Sequence, residues 1–396
     1  MDRALGDIKV VDLTRVLSGP YATTMLADMG ARVIHVEMPE TGDDSRGFGP
    51  YVNGESCYFM SLNRNKEGIT LNMKSDDGKE ILKKLIMDSD VVVENFKPGT
   101  MERLGFSYED IMKWKSDIIY AACSGYGHTG PYSKRPAYDA IVQAMGGVMS
   151  ITSNEPNGEP TRVGSSIGDI LAGIFTATGI LAAIHHKDKT GEGQKVDVGM
   201  LDCQVAVLEN AIARYFATGI TPAPVGNRHP SITPFEPFKC ADDTYLVVAA
   251  GNDKLWAAFC NLVGREELID DMRFKTNAHR TDNHSQLKPI MDEIMNEKSS
   301  DVWAKIFEEN GIPCTTIDTI DKVVTNPQIV AREMIVETLH PKAGVQKLAN
   351  LPIKFSKTPG TIYKAAPLLG EDNVKVLKEL GYSDEDIERF VKDGVV

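Results

Sequence analysis

Positive charge is in short supply. The 396 residues carry 43 Lys and Arg against 56 Asp and Glu, a formal balance of −13, with a pI near 5.2. Neutralising phosphates takes a basic footprint, so this chain is not expected to bind nucleic acid, and local basic spots must carry any anion binding. Long apolar runs are scarce too. The longest, Ile170 to Ile184, is interrupted by Gly173, Thr176, Thr178 and Gly179 and falls short of the roughly 18 residues of a spanning helix. It reads as a buried core helix, and no membrane partner is expected. Met1 to Lys9 holds no basic stretch followed by an apolar core, which points to a cytoplasmic protein. The six cysteines, Cys57, Cys123, Cys203, Cys240, Cys260 and Cys314, form no C-x-x-C pair and none sits beside a His. Reduced thiols and no metal site are expected. The motifs H-E-x-x-H, G-x-S-x-G and G-x-x-x-x-G-K-[ST] are missing, which argues against zincins, nucleophile-elbow hydrolases and P-loop enzymes. Ordinary values of 42% hydrophobic and 25% charged residues exclude disorder, collagen and a disulfide miniprotein.

What is present is alternation. Lys9 to Leu13 reads as a strand, Tyr21 to Met29 as an amphipathic helix stopped by Gly30, and Ala31 to Glu37 as a second strand. A helix at Asp77 to Ser89, a strand at Asp90 to Glu94, a helix near Tyr108 to Lys115 and a strand at Asp117 to Ser124 continue the pattern. The class is therefore α/β, with a doubly wound, mostly parallel, Rossmann-like sheet. A loop-rich stretch from Gly125 to Gly168, the apolar helix, a strand at Lys195 to Val198 and a long helix from Met200 to Phe216 follow. The Pro-rich Thr221 to Gly226 marks a boundary. The expected organisation is a large domain from residues 1–220 and 328–396, a smaller α+β domain at 227–322, and linkers near 221–226 and 323–327.

A β-α-β start with Glu37 ending the second strand invites a dinucleotide reading, but the loop Thr14 to Pro20 has a single glycine and no G-x-G-x-x-G. Lys97 and Arg103, on and beyond a loop after a strand, are candidate phosphate partners. Asp169 stands at the start of the apolar helix. One reading makes it an N-cap carboxylate; another makes it a nucleophile held ionised by the helix N-terminus, with Gly168 leaving room for a bulky electrophile.

Seven stretches together resemble the class III coenzyme A transferases: Val11 to Pro20, Leu62 to Lys66 with Leu71 to Lys74, Glu94 to Gly99, Gly125 to Pro131, Gly168-Asp169, Lys189 to Gln194, and Ala366 to Gly370. They follow the family's order across nearly the whole chain. The resemblance implies that Asp169 is catalytic. It also implies a CoA groove lined by Val16, Leu17, Ser18, Leu71, Asn72, Met73, Lys74, Asn95, Phe96, Lys97, Arg103, Ser124, Gly125 and Tyr126. Acyl-CoA and a small carboxylic acid would be the substrates, no cofactor would be permanently bound, and an interlocked homodimer would be the assembly. Where formyl-CoA transferases share a glycine-run loop, this chain reads Gly226 to Pro234. His229, Ser231 and Ile232 there resemble the substrate loop of the succinyl-CoA:glutarate branch, and Met38 stands where some relatives carry Arg. The rival readings are an NAD(P)-dependent dehydrogenase, disfavoured by the missing fingerprint, and a non-catalytic CoA-binding protein.

Overall fold

The computed structural model describes residues 3–396 and divides into two compact units. The first runs through Val148 and takes in Arg162–Ile212 and Pro327–Val396. Its centre is a six-stranded parallel sheet. Counting this sheet's strands alone, β1 is Lys9–Asp12, β2 Arg32–Glu37, β3 Lys66–Thr70, β4 Val91–Glu94, β5 Ile119–Ser124 and β6 Lys195–Gly199. The spatial order is β3-β2-β1-β4-β5-β6, with every neighbouring pair parallel. The order reverses between β1 and β4, the point at which open α/β sheets carry their ligand crevice at the strands' carboxyl ends.

Both faces of the sheet are covered, which is why its strands are apolar on consecutive residues. Val10 packs with Leu26, Val33, Val91 and Ile180 on one face. Val11 packs with Ile34, Ile69, Leu82 and the C-terminal Leu377 and Phe390 on the other. Helix α1, Ser18–Asp28, starts before the expected Tyr21. Pro20 falls in its first turn, where a missing N–H costs no helical hydrogen bond. Strand β3 escaped the sequence pattern because Lys-Glu-Gly-Ile-Thr shows no apolar alternation. A Cβ on its Gly68 would lie 2.7 Å from Pro367 Cγ, so the glycine lets the C-terminal segment close over the strand.

The apolar helix, α2, is Ile167–Thr190 and spans 24 residues, longer than its interrupted run suggested. Its length and hydropathy of 1.9 would suffice to cross a membrane, yet Ala172, Gly173, Thr176, Ala177, Ile180 and Ala183 are buried in the fold. Its small residues are packing devices rather than breaks: a Cβ on Gly173 would meet Ser18 O at 2.8 Å. The expected long helix after β6 is instead two, Met200–Ala206 and Asn210–Thr218, broken where Glu209 takes φ +52°. The loop-rich stretch holds a helix at Asp139–Met145.

The second unit comprises Met149–Thr161 and Ala213–Asn326. A three-stranded antiparallel sheet of Phe235–Lys239, Tyr245–Ala249 and Cys314–Thr316 packs with helices around Trp256, Phe259, Trp303 and Phe307. Arg280 is fully buried there, donating to the carbonyls of Thr233, Phe274 and Gly251. Residues 149–161, which the sequence grouped with the large domain, join this unit through a Pro156 to Val225 bridge and a bond from Asn157 N to Pro224 O at 2.9 Å.

Candidate active site

The crevice begins with Asp12, the last residue of β1, fully buried. Its carboxylate accepts from Thr14 N at 3.0 Å, Thr23 Oγ1 at 2.7 Å and Lys66 Nζ at 3.0 Å. Burial alone would raise this carboxyl, but Lys66 and His35 beside it pull it well below the usual range. This buried pair anchors the start of the loop Thr14–Ser18. Arg15 is tied next, its N–H to Asn95 Oδ1 and its carbonyl to Asn95 Nδ2, both at 2.8 Å. Val16 follows at φ +66°, with its N–H on the Asp43 carboxylate at 3.1 and 3.2 Å. A β-branched residue rarely holds that conformation. Glu37, which the dinucleotide reading aimed at a ribose, is already engaged: Arg46 grips it with two bonds of 2.6 Å and Asp43 N donates to it.

Asp169 sits in the first turn of α2, two residues past the helix's opening Ile167. The N-cap position belongs to Ser166, which makes no side-chain cap, so the cap reading of Asp169 is corrected to a first-turn carboxylate. Burial and then the nearby Asp139 push its carboxyl up to about 7, and a hydrogen bond with the Ser18 hydroxyl partly offsets this. Asp139 accepts Gly168 N at 2.8 Å and Gln143 Nε2 at 2.8 Å. A Cβ on Gly168 would lie 2.8 Å from Val142 Cγ2 and 3.0 Å from Asp139 Oδ1. On the side a Cβ would occupy, the glycine makes room for Val142 and Asp139. Burial and then the charges of Asp169, Asp43 and Asp139 raise the phenol of the half-buried Tyr58 to about 12, so it stays protonated at neutral pH. Cys123 is buried and raised to about 12, a protonated and inert thiol.

The sheet topology brings most of the sequence-predicted residues to one edge. Val16, Leu17 and Ser18 follow β1, Asn95 and Phe96 follow β4, and Gly125 and Tyr126 follow Ser124, the last residue of β5. Phe96 N donates to Glu94 Oε2 at 2.8 Å, and the Arg15 guanidinium lies 5.2 Å from the Phe96 ring. Lys97 is exposed. Arg103 is exposed as well, tied to Thr100 Oγ1 at 2.9 Å. The segment after β3 splits: Asn72 and Lys74 line a cavity of about 580 Å³ together with Met38, Glu40 and Val396, while Leu71 and Met73 are buried in the sheet core. A groove could touch those two only through their backbone.

In the second unit, His229 stacks on Phe235 at 5.6 Å and its Nδ1 accepts Ser231 N at 3.1 Å, which places the neutral ring's proton on Nε2. Arg228 and His229 line a cavity of about 480 Å³, and Ile232 packs against Gly251.

Sequence reasoning missed Asp43, Tyr58, Asp139 and His128. His128 accepts from Lys195 Nζ at 3.0 Å and lies 3.4 Å from Glu94 Oε1, tying the loop after β5 to the end of β4. Only His128 stood inside a motif that the sequence displays. The other three act through folding partners far along the chain.

Similarity to known proteins agrees with this geometry. A family model described as CoA-transferase family III matches residues 5–373. An acetyl-CoA:oxalate CoA-transferase from Acetobacter aceti is 40% identical over 377 residues, 93% of this chain and 94% of the relative. The human succinyl-CoA:glutarate CoA-transferase is 39% identical over 396 residues, 100% of this chain and 90% of the relative. The crystal structure of a CAIB/BAIF family protein from Brucella suis superposes with a TM-score of 0.84 at 35% identity, covering 96% of this chain and 100% of that one. The chain belongs to CoA-transferase family III and is an enzyme of the CoA-transferase class.

Proposed function

We propose that the enzyme moves CoA from succinyl-CoA or another short-chain acyl-CoA to a free carboxylic acid, with Asp169 as the nucleophile. The observation that carries this reading is a half-buried carboxyl in the first turn of a helix, at the carboxyl edge of the sheet and in contact with Ser18 of the tethered loop. An Asp169 oxygen attacks the thioester carbonyl, the C–S bond breaks, and a mixed anhydride forms as CoA thiolate leaves. The thiolate then attacks the Asp169 carbonyl, releasing the donor's acid and leaving an aspartyl-CoA thioester. The acceptor carboxylate attacks that thioester and expels the thiolate, which returns to the acceptor's carbonyl and frees Asp169. One thioester replaces another, so no net energy input is needed.

The positive end of the α2 dipole favours the ionised nucleophile. Tyr58, protonated and within the electrostatic reach of Asp169, is the donor this reading assigns to the developing oxyanion. Lys97 and Arg103 suit the CoA phosphates because both are exposed cations on the loop and short helix after β4. The relatives' names, an oxalate and a glutarate transferase, support a short dicarboxylic acid as acceptor, with His229, Ser231 and Ile232 as its loop. The reading also includes a cytoplasmic homodimer of interlocked chains. Exposed Tyr138, Ile141 and Phe175 of the first unit supply an apolar surface that a second copy would cover.

The test is a mass-spectrometric screen of CoA transfer from succinyl-, acetyl- and formyl-CoA to a panel of mono- and dicarboxylic acids, with hydroxylamine added during turnover. Transfer with a hydroxamate on Asp169 is expected; transfer with no trapped aspartyl species would reject the covalent route.

A further inference from the structure

The left-handed residue in the loop after β1 has a specific cause. Val16 takes φ +66°, where its branched Cβ crowds the backbone and where glycine or asparagine is the usual occupant. Its N–H is held by both oxygens of Asp43. Asp43 is itself buried and fixed from three sides. Its N–H donates to Glu37 Oε2 at 2.9 Å, its Oδ1 accepts Ser45 N at 2.7 Å, and His35 Nε2 lies 3.8 Å from its Oδ2. His35 in turn is held through Nδ1 at 3.2 Å by Asp12, so the anchor of β1 and the clamp on Val16 share one buried side chain. Glu37 cannot yield, because Arg46 grips both of its oxygens.

The consequence appears two residues later. Arg15 is immobilised by Asn95 on one side of Val16. On the other side α1 begins at Ser18, which packs on the first turns of α2, its carbonyl 2.8 Å from where a Cβ on Gly173 would stand, four residues beyond Asp169, and whose hydroxyl lowers the Asp169 carboxyl. With Arg15 fixed, the φ of Val16 sets the direction in which the chain enters α1, and with it the place of the Ser18 hydroxyl.

We propose that Asp43 is a positioning residue of the transfer reaction: by locking Val16 in its left-handed conformation it turns Ser18 toward the Asp169 carboxylate. This inference rests on the reading of Asp169 as nucleophile. It assigns the buried Asp43 a task distinct from capping the Asp44–Gly47 turn, and a double-mutant cycle separates the two. Asp43→Ala should lower kcat/KM about a hundredfold, the scale expected when a reacting group is displaced by an ångström from afar. Val16→Gly, measured against its own activity, frees the backbone to adopt the left-handed turn without a clamp. In that background Asp43→Ala should cost about tenfold or less, because the two sites are coupled. Should Asp43→Ala fail to fold by circular dichroism, Asp43→Asn is run through the same cycle.

Equal losses in both backgrounds would mean that Asp43 serves only the fold of its own turn, and would overturn the inference. A wild-type protein that transfers no CoA between acyl-CoA and any acid would instead overturn the functional reading, and the positioning role with it. Active wild type with uncoupled mutants removes the positioning role alone.

Discussion

Under the proposed function the loop Thr14–Ser18 of the first unit serves CoA and the loop Gly226–Thr233 of the second unit serves the acid, and the two are held differently. The first is held along its length, by Asp12 just before it and by Asn95 and Asp43 from far along the chain, with Asp12 and Asp43 buried. The second is anchored at its end, where the buried Arg280 donates to Thr233 O, while its exposed tip is tied by Ser231 N to His229 Nδ1 and Asn277 Nδ2 to Ser231 O. The first loop is thus costly to deform along its length, and the second is cheap to deform at its tip but not at its end. CoA is the part of the substrate common to both half-reactions, while the acid changes. Preorganisation suits the constant part and adaptability the variable part.

The largest expected effect lies where the rigid loop meets the nucleophile. Asp169→Ala should reduce transfer on the order of 10⁴-fold or more, as loss of a catalytic group acting with its neighbours does. CoA affinity by calorimetry and the circular dichroism spectrum should stay near wild type, because Asp169 is not the N-cap of α2. Retained activity in this variant would dissolve the link between the rigid loop and the chemistry.

Next come the tethers. Asn95→Ala removes both hydrogen bonds to Arg15 and should cost about a hundredfold in kcat/KM. The second loop's counterpart, His229→Ala, should raise the KM of the acid several-fold, on the scale of one lost hydrogen bond, and leave the acyl-CoA KM unchanged. A His229→Ala effect as large as that of Asn95→Ala, or one on acyl-CoA KM, would erase the contrast. Between them stand Lys97→Ala and Arg103→Ala. Each should raise acyl-CoA KM about tenfold and flatten its salt dependence while kcat falls much less, since phosphate contacts form in ground and transition states alike.

The same contrast explains what the sequence could show. Strands β1, β2, β4 and β5 announce themselves because burial on both faces demands consecutive apolar residues, and the crevice at their carboxyl ends follows from a parallel sheet. Strand β3 does not, since it survives by pairing a buried Lys66 with Asp12 and by a glycine that admits Pro367. Asp169 stood out by its place at a helix start. Asp43, Tyr58 and Asp139 did not, because nothing local marks an aspartate whose partner is a valine N–H 27 positions away, a tyrosine that feels charges from distant segments, or an aspartate that accepts a glycine N–H 29 positions on. Rigid sites are assembled from long-range pairs, which a linear reading cannot register, whereas the His229 loop stood out as a segment by its own residues.

The smallest effect concerns the proton on Asp169. Burial, then Asp139, raises its carboxyl from 3.8 to about 7, so the free enzyme should gain nucleophile as pH rises through 7, and kcat/KM for acyl-CoA should show an acidic limb there. Asp139→Asn removes the like charge yet keeps an oxygen able to accept Gly168 N–H. The limb should move to lower pH, but only part of the way, since burial is the larger cause and remains. Activity at pH 6 should then rise a few-fold relative to the plateau. The stability sign is opposite to that of a salt-bridged carboxylate. A folded-state value above the unfolded one contributes stability that is full below about 3.8 and is lost as pH rises through 7. Asp169→Asn, which cannot ionise, should therefore gain thermal stability over wild type at pH 8 and much less at pH 4. An equal change at both pH values would place Asp169 in an environment no different from water, and the rigid loop would then have no strained carboxylate to serve.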